Sequence, residues 1–125
     1  MKSAAPKPAE RYAGNLARYE ALVATNPAVE RKGATMPYTS VNGHMFSLLT
    51  KDGTLVLRLA TKDRDAFLKK YKTPIVRLYG AVMKEYVEVP DALLARTSSA
   101  RKFFDASYRY VSSLKPKPTA RKKAR

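Results

Sequence analysis

The sequence predicts an α+β fold, a two-layer antiparallel sheet with helices on one face, in the order α-βββ-α-ββ-α. Three observations predict it. Asn42-Gly43 and Asp52-Gly53 split residues 38–59 into three strand-like runs, because these residue pairs tolerate the positive φ of a tight type I′ hairpin turn. After Leu59 the apolar pattern switches from period two to helical spacing. A second extended stretch, residues 82–89, is followed by aromatic residues at helical spacing.

In chain order, residues 1–8 hold two prolines and no periodicity and are expected to be a disordered lead-in. A helix begins near Ala9, with Tyr12, Leu16, Tyr19 and Val23 on one face and Leu22 beside them, and Asn26-Pro27 ends it. Residues 28–36 read as a loop. In the third run, Leu55, Leu57 and Leu59 share one face and Thr54, Val56 and Arg58 the other. The middle run, residues 44–49, is apolar on both faces. Its second face therefore needs a cover, either a partner subunit or a region of the same chain.

Thr61 is expected to cap the next helix, in which Asp63 and Asp65 open the first turn, Phe67 and Tyr71 face inward, and Lys69, Lys70 and Lys72 crowd the end. Pro74 closes it. Residues 75–79 read as a short strand or extended segment that Gly80 breaks. In residues 82–89, Met83, Val87 and Val89 are expected on one face and Lys84, Tyr86 and Glu88 on the other. Glu85 then falls on the apolar side, out of pattern, and an ion pair with Arg58 or Arg77 would accommodate it. Leu93 and Leu94 mark a short helical piece. Thr97, Ser98 and Ser99 are expected to cap the last helix, whose stripe is Phe104, Tyr108 and Val111 with Phe103, Tyr110 and Leu114 alongside.

The organisation expected is a lead-in over 1–8, a folded domain over 9–114 and a basic disordered tail over 115–125. The 125 residues suffice for one core. With no cysteine, disulfides, thiolate metal sites and cysteine nucleophiles are excluded. The polar start is unlike a signal peptide and no apolar run reaches membrane-span length, so a cytoplasmic protein with no membrane partner is expected.

The formal charge is +15, from 25 Lys and Arg against 10 Asp and Glu, which favours polyanionic partners. Lys2, Lys7, Lys115, Lys117, Arg121, Lys122, Lys123 and Arg125 lie in the two end segments, so residues 9–114 carry +7. Arg101, Lys102 and Arg109 extend the tail's basic patch and sit among aromatic residues. These nine tail and helix cations, from Arg101 to Arg125, are candidate phosphate contacts for nonspecific, salt-dependent nucleic-acid binding.

No catalytic constellation, metal site or cofactor site is legible. His44 is the single histidine and stands beside a turn without a second ligand. Lys84 and Glu85 are adjacent in a strand and point to opposite faces, so they cannot converge on one substrate atom. The serines lie in no nucleophile elbow.

Asn42-Gly43-His44-Met45-Phe46, the run Val82-Met83-Lys84-Glu85-Tyr86-Val87-Glu88-Val89-Pro90, and the Val-Ser-Ser-Leu-Lys-Pro-Lys-Pro stretch of residues 111–118 carry a resemblance. Over residues 35–118 the chain resembles the TfoX/Sxy N-terminal domain family, the motif residues being Asn42, Gly43, Met45, Phe46, Met83, Lys84, Glu85 and Tyr86. The resemblance implies a secretion-chaperone-like α+β fold. Founding members of the family are regulators of natural competence thought to work beside the cyclic-AMP receptor protein, and they carry a second, helical domain. A single-domain relative is expected to be a non-enzymatic interaction or regulatory module. Its partner would be an unidentified protein or a second copy, a homodimer through the sheet face, with nucleic-acid accessory binding as the alternative.

Overall fold

The computed structural model describes residues 8–33, 35–78 and 80–116. Its elements are α1 (Pro8–Ala24), β1 (Tyr38–Val41), β2 (His44–Leu49), β3 (Leu55–Arg58), α2 (Thr61–Tyr71), β4 (Ile75–Leu78), β5 (Ala81–Val89), α3 (Asp91–Leu94) and α4 (Thr97–Ser112). The expected order holds, and the final helical region is the two expected pieces, α3 and α4, separated at Ala95 and Arg96. Nearly all of the expected lead-in and tail lies outside the described residues.

The strands form one antiparallel sheet ordered β1-β2-β3-β5-β4. The chain leaves β3 through α2, lays β4 at the edge and returns with β5 into the gap beside β3. Leu55 and Leu57 pair with Val89 and Val87, and these four face the helices with Leu49. Against them pack Tyr19 and Leu22 of α1, Phe67 of α2, Leu93 and Leu94 of α3, and Phe104 and Val111 of α4. Burial of these side chains, about 1.5–3 kcal/mol each, is the main force joining the layers.

An irregularity in the β1–β2 pairing matters here. Thr39 pairs with Ser47 but Ser40 with Met45, which leaves Phe46 as an extra residue. A bulge of this kind breaks strict alternation. Phe46 therefore joins the helix side, its ring 5.5 Å from Phe104 and 5.8 Å from Tyr108, while Ser47 on the same side meets the Tyr19 hydroxyl at 2.6 Å.

The second face holds Leu48, Val56, Val76 and Tyr86, all buried within the single chain, with Met36, Tyr38, Met45 and Met83 packed against them. Of the two covers considered for this face, the chain's own residues supply the one observed. Lys32 and Tyr38 exchange backbone hydrogen bonds of 2.8 and 2.9 Å, and this bridge brings the loop with Met36 back to the sheet. Met83 was expected beside Val87 and Val89. It packs instead against the cluster of Leu48, Val56, Val76 and Tyr86, because the β4–β5 register shifts between Ile75 and Arg77 and the alternation is interrupted there.

The first turn is as expected, with Asn42 at φ 56° and Gly43 at φ 81°. The second differs. Only Gly53 has positive φ, 89°, and its N–H donates to the Thr50 carbonyl, so Lys51 and Asp52 occupy the turn centre. This is the three-residue hairpin loop ending in a left-handed glycine, not a type I′ turn. The expected side-chain caps are absent as well. Ala60 and Arg96 occupy the N-cap positions of α2 and α4 without a side-chain cap bond, and Thr61 and Thr97 are the first helical residues.

Candidate interaction surface along helix α4

Helix α4 is amphipathic by spacing, and the spacing assigns its faces. Ala100, Phe104, Ser107 and Val111 recur at three or four residues and are buried against the sheet. The Ser107 hydroxyl donates to the Arg58 carbonyl of β3, a polar pin inside the apolar stripe. Phe103 turns toward α2, where its ring stands edge-on to Phe67 at 5.1 Å and to Tyr71 at 6.0 Å.

The outer face carries Arg101, Asp105 and Arg109 at four-residue spacing. Arg101 Nε lies 3.3 Å from Asp105 Oδ2. The carboxylate thus interrupts the basic stripe that Arg101 and Arg109 would otherwise form, some 12 Å apart at about 1.5 Å per residue. Lys102 is on another side of the helix, toward α2. Arg101 and Lys102 therefore stand on different sides of α4, with Arg109 between them.

Around the last turns of α4 the strands supply a charged junction. Arg58 places Nε and Nη2 each 2.7 Å from Glu85 Oε1, and the Tyr110 hydroxyl donates to Glu85 Oε2 at 2.6 Å. The Arg58 guanidinium also lies 5.9 Å from the Tyr110 ring centre. Burial pushes the Glu85 carboxyl up, but the Tyr110 and Arg58 bonds outweigh it and hold the group below its ordinary value. Arg58 moves up, its burial opposed by the Glu85 contact. A depression of about 480 Å³ borders this pair. A carboxylate with both oxygens engaged and a lowered pKa is a weak base, so the junction is suited to holding α4 on the sheet rather than to proton transfer. Of the two arginines considered for Glu85, Arg58 is the partner; Arg77 is opposite Val82.

Two hollows flank α4. One, about 290 Å³, lies between the end of α1 and α4 and is lined by Asn26, Pro27, Arg101, Asp105, Tyr108 and Arg109 among others. The other, about 350 Å³, runs between α2 and α4 over Leu59, with Lys70, Lys102 and Arg109 at its walls.

The aromatic residues among these cations, which could in principle stack on nucleobases, are otherwise engaged. Phe104 is fully buried, Phe103 and Tyr108 are half-buried against Phe67 and Phe46, and Tyr110 is half-buried with its hydroxyl on Glu85. Tyr110 is thus not a free surface ring. Lys115 is exposed, while Lys117, Arg121, Lys122, Lys123 and Arg125 lie outside the described residues.

The resemblance motifs have structural positions. Asn42 Nδ2 donates to the carbonyls of Ser112 at 3.0 Å and Leu114 at 3.4 Å, and His44 Nε2 donates to the Lys115 carbonyl at 2.9 Å. The β1–β2 turn therefore clasps the end of α4. The Tyr86 hydroxyl donates to the Met45 carbonyl at 2.8 Å, joining the two motifs across the sheet. Lys84 is exposed. Among the described residues no three of His, Cys, Asp and Glu cluster as a metal site, and no helix is long and apolar enough to cross a membrane.

The sequence pattern did not reveal a polar cluster at the other end of the helical layer. Asn15, buried in α1, donates to the Gly53 carbonyl at 2.8 Å and to Asp91 Oδ1 at 3.1 Å. Arg11 completes it with bonds of 2.8 and 3.0 Å to the Asp91 carboxylate. Its one visible signal is Asn15 interrupting the apolar stripe between Tyr12 and Tyr19. No protein-family model matches the chain, and no curated protein matches it.

Proposed function

We propose that this chain is a non-enzymatic, TfoX-like interaction or regulatory module of the cytoplasm, acting in transcription or competence-type regulation and meeting a protein partner through the solvent face of α4. The observation that carries this reading is how the side chains are used. Asn42, Phe46, Glu85 and Tyr86 of the resemblance motifs all make internal contacts, whereas Arg101, Lys102 and Arg109 stand exposed on one helix. Charged groups on a rigid element favour recognition of an acidic surface. A second copy is the alternative protein partner. Among the described residues, Ile75 and Val82, 53% and 44% exposed on the β4–β5 hairpin, are the large apolar side chains available to it.

Nucleic-acid accessory binding is the second reading, favoured by the net charge of +15. Asp105 speaks against a continuous phosphate track on α4, so this reading depends chiefly on the tail.

One set of measurements separates them. Anisotropy of labelled duplex and single-stranded DNA is measured with the full chain and with a version ending at Leu114, at low and near-physiological salt. Light scattering gives the oligomeric state. The first reading expects no tail-dependent DNA binding and a partner captured by the wild-type chain but not by the R101E/K102E/R109E variant. Affinity that steepens at low salt and disappears with the tail overturns it in favour of nucleic acid.

A further inference from the structure

The groove between α2 and α4 combines two properties that neither helix has alone. Its floor is apolar: Leu59, Ala66, Phe67, Phe103 and Ala106 line a volume of about 350 Å³, within the range of small-ligand sites. Its charge is sorted along its length. The Ser107 hydroxyl donates to the backbone carbonyl of Arg58, three residues before α2 begins, which sets the start of α2 beside the later turns of α4, so the helices run antiparallel. Tyr71 meets Phe103 at the opposite end.

Asp63 and Arg109 therefore share one end, where their charges offset. Lys70 and Lys102 share the other, where no acid lines the wall. Both ammonium groups fold back over groove rings, Lys70 Nζ at 5.4 Å from the Tyr71 centre and Lys102 Nζ at 5.8 Å from the Phe103 centre. That holds two positive charges at one end of an apolar trough. Nucleobase stacking is the poorer fit, since Phe67, Tyr71 and Phe103 already pack edge to face with one another.

We infer that this groove binds a small amphiphilic anion, a medium-chain or aryl carboxylate, with its apolar body on Phe67 and Phe103 and its charged head between Lys70 and Lys102. The inference does not rest on the partner surface proposed above, with which the groove shares Lys102 and Arg109. Titration of the full chain with octanoate and with octylammonium, each below its micelle concentration, is followed by amide NMR shifts. Octanoate is expected to shift residues 63–71 and 102–109 saturably, and octylammonium to leave them in place. K70E/K102E should weaken octanoate by about tenfold or more, two local charges being reversed, while R101E, outside the groove, leaves it unchanged. Because all three residues are exposed, wild-type-like spectra verify folding. Equal binding of the two probes, octanoate shifts spread over the whole surface, or full affinity in K70E/K102E would each overturn the inference.

Discussion

Tyr110 donates its hydroxyl to Glu85 across the boundary between α4 and β5, at 2.6 Å, while Arg58 holds the other carboxylate oxygen. The residue that is out of pattern in the strand is therefore what ties the last helix to the sheet.

Replacing Glu85 with Gln should cost about 1–2 kcal/mol at neutral pH, the range for a charged hydrogen bond partly open to water. The pH dependence has a definite sign. The folded carboxyl lies below its ordinary value of 4.5, so its contribution is present above that value and is lost as pH falls through the lower folded one. Urea unfolding of wild type and Glu85→Gln across pH 2.5–7 should show the two stabilities converging in acid. A difference that stays constant as the pH is lowered would contradict the charge-based account.

Tyr19 predicts the alkaline limb. Burial pushes its hydroxyl up to about 12, against the partial opposition of the Ser47 and Thr39 bonds. The unfolded chain then loses its proton first, so stability declines as pH rises from the ordinary value of 10.0 toward 12, by at most about 1.4 kcal/mol per pH unit. Tyr19→Phe should start less stable at neutral pH and flatten this limb. Thermal unfolding at pH 8 to 11 measures both.

Two glycines should respond unequally to alanine. Gly53 and Gly80 have φ of 89° and 79°, but a Cβ on Gly53 would stand 3.1 Å from the Tyr12 Cα, whereas one on Gly80 meets nothing within 4 Å. Gly80→Ala should cost roughly 1 kcal/mol, the backbone share alone, and Gly53→Ala at least twice that because α1 must shift. Equal losses in denaturant midpoints would mean that α1 does not press on the turn.

Asn42→Ala should remove the clasp on the end of α4. A loss of about 1–2 kcal/mol is expected: the exposed amide's bonding is partly replaced by water, and alanine tolerates the left-handed φ of 56° less well than asparagine. Hydrogen exchange at residues 110–115 should accelerate while the amides of β3 stay protected. Faster exchange throughout the sheet would show that the clasp supports more than the helix end.

Much of the fold is legible because it depends on neighbours in the chain. The helical stripes, the Asn42-Gly43 turn and the inward face of β3 follow from residue spacing and local φ preference, and the structure has all three. The pairing of Asp105 with Arg101 is equally local, and the i,i+4 rule could have found it. The bulge at Phe46 was hidden, because an extra residue in one strand is defined only against its partner. Met83 was misplaced for the same reason.

By itself, the sequence determined the α+β class, the succession of elements, the inward stripes and the excess of positive charge, since each is a property of composition or of residues a few positions apart. Tertiary structure alone decided which arginine meets Glu85, how Asn15 is satisfied by Gly53 and Asp91, what covers the second sheet face, and that Lys70 and Lys102 share one end of a groove. The first two relations join residues from 27 to 76 positions apart, and the others depend on how separate elements lie against one another. No local propensity encodes such distances, because they arise only when the buried faces of separate elements are brought together.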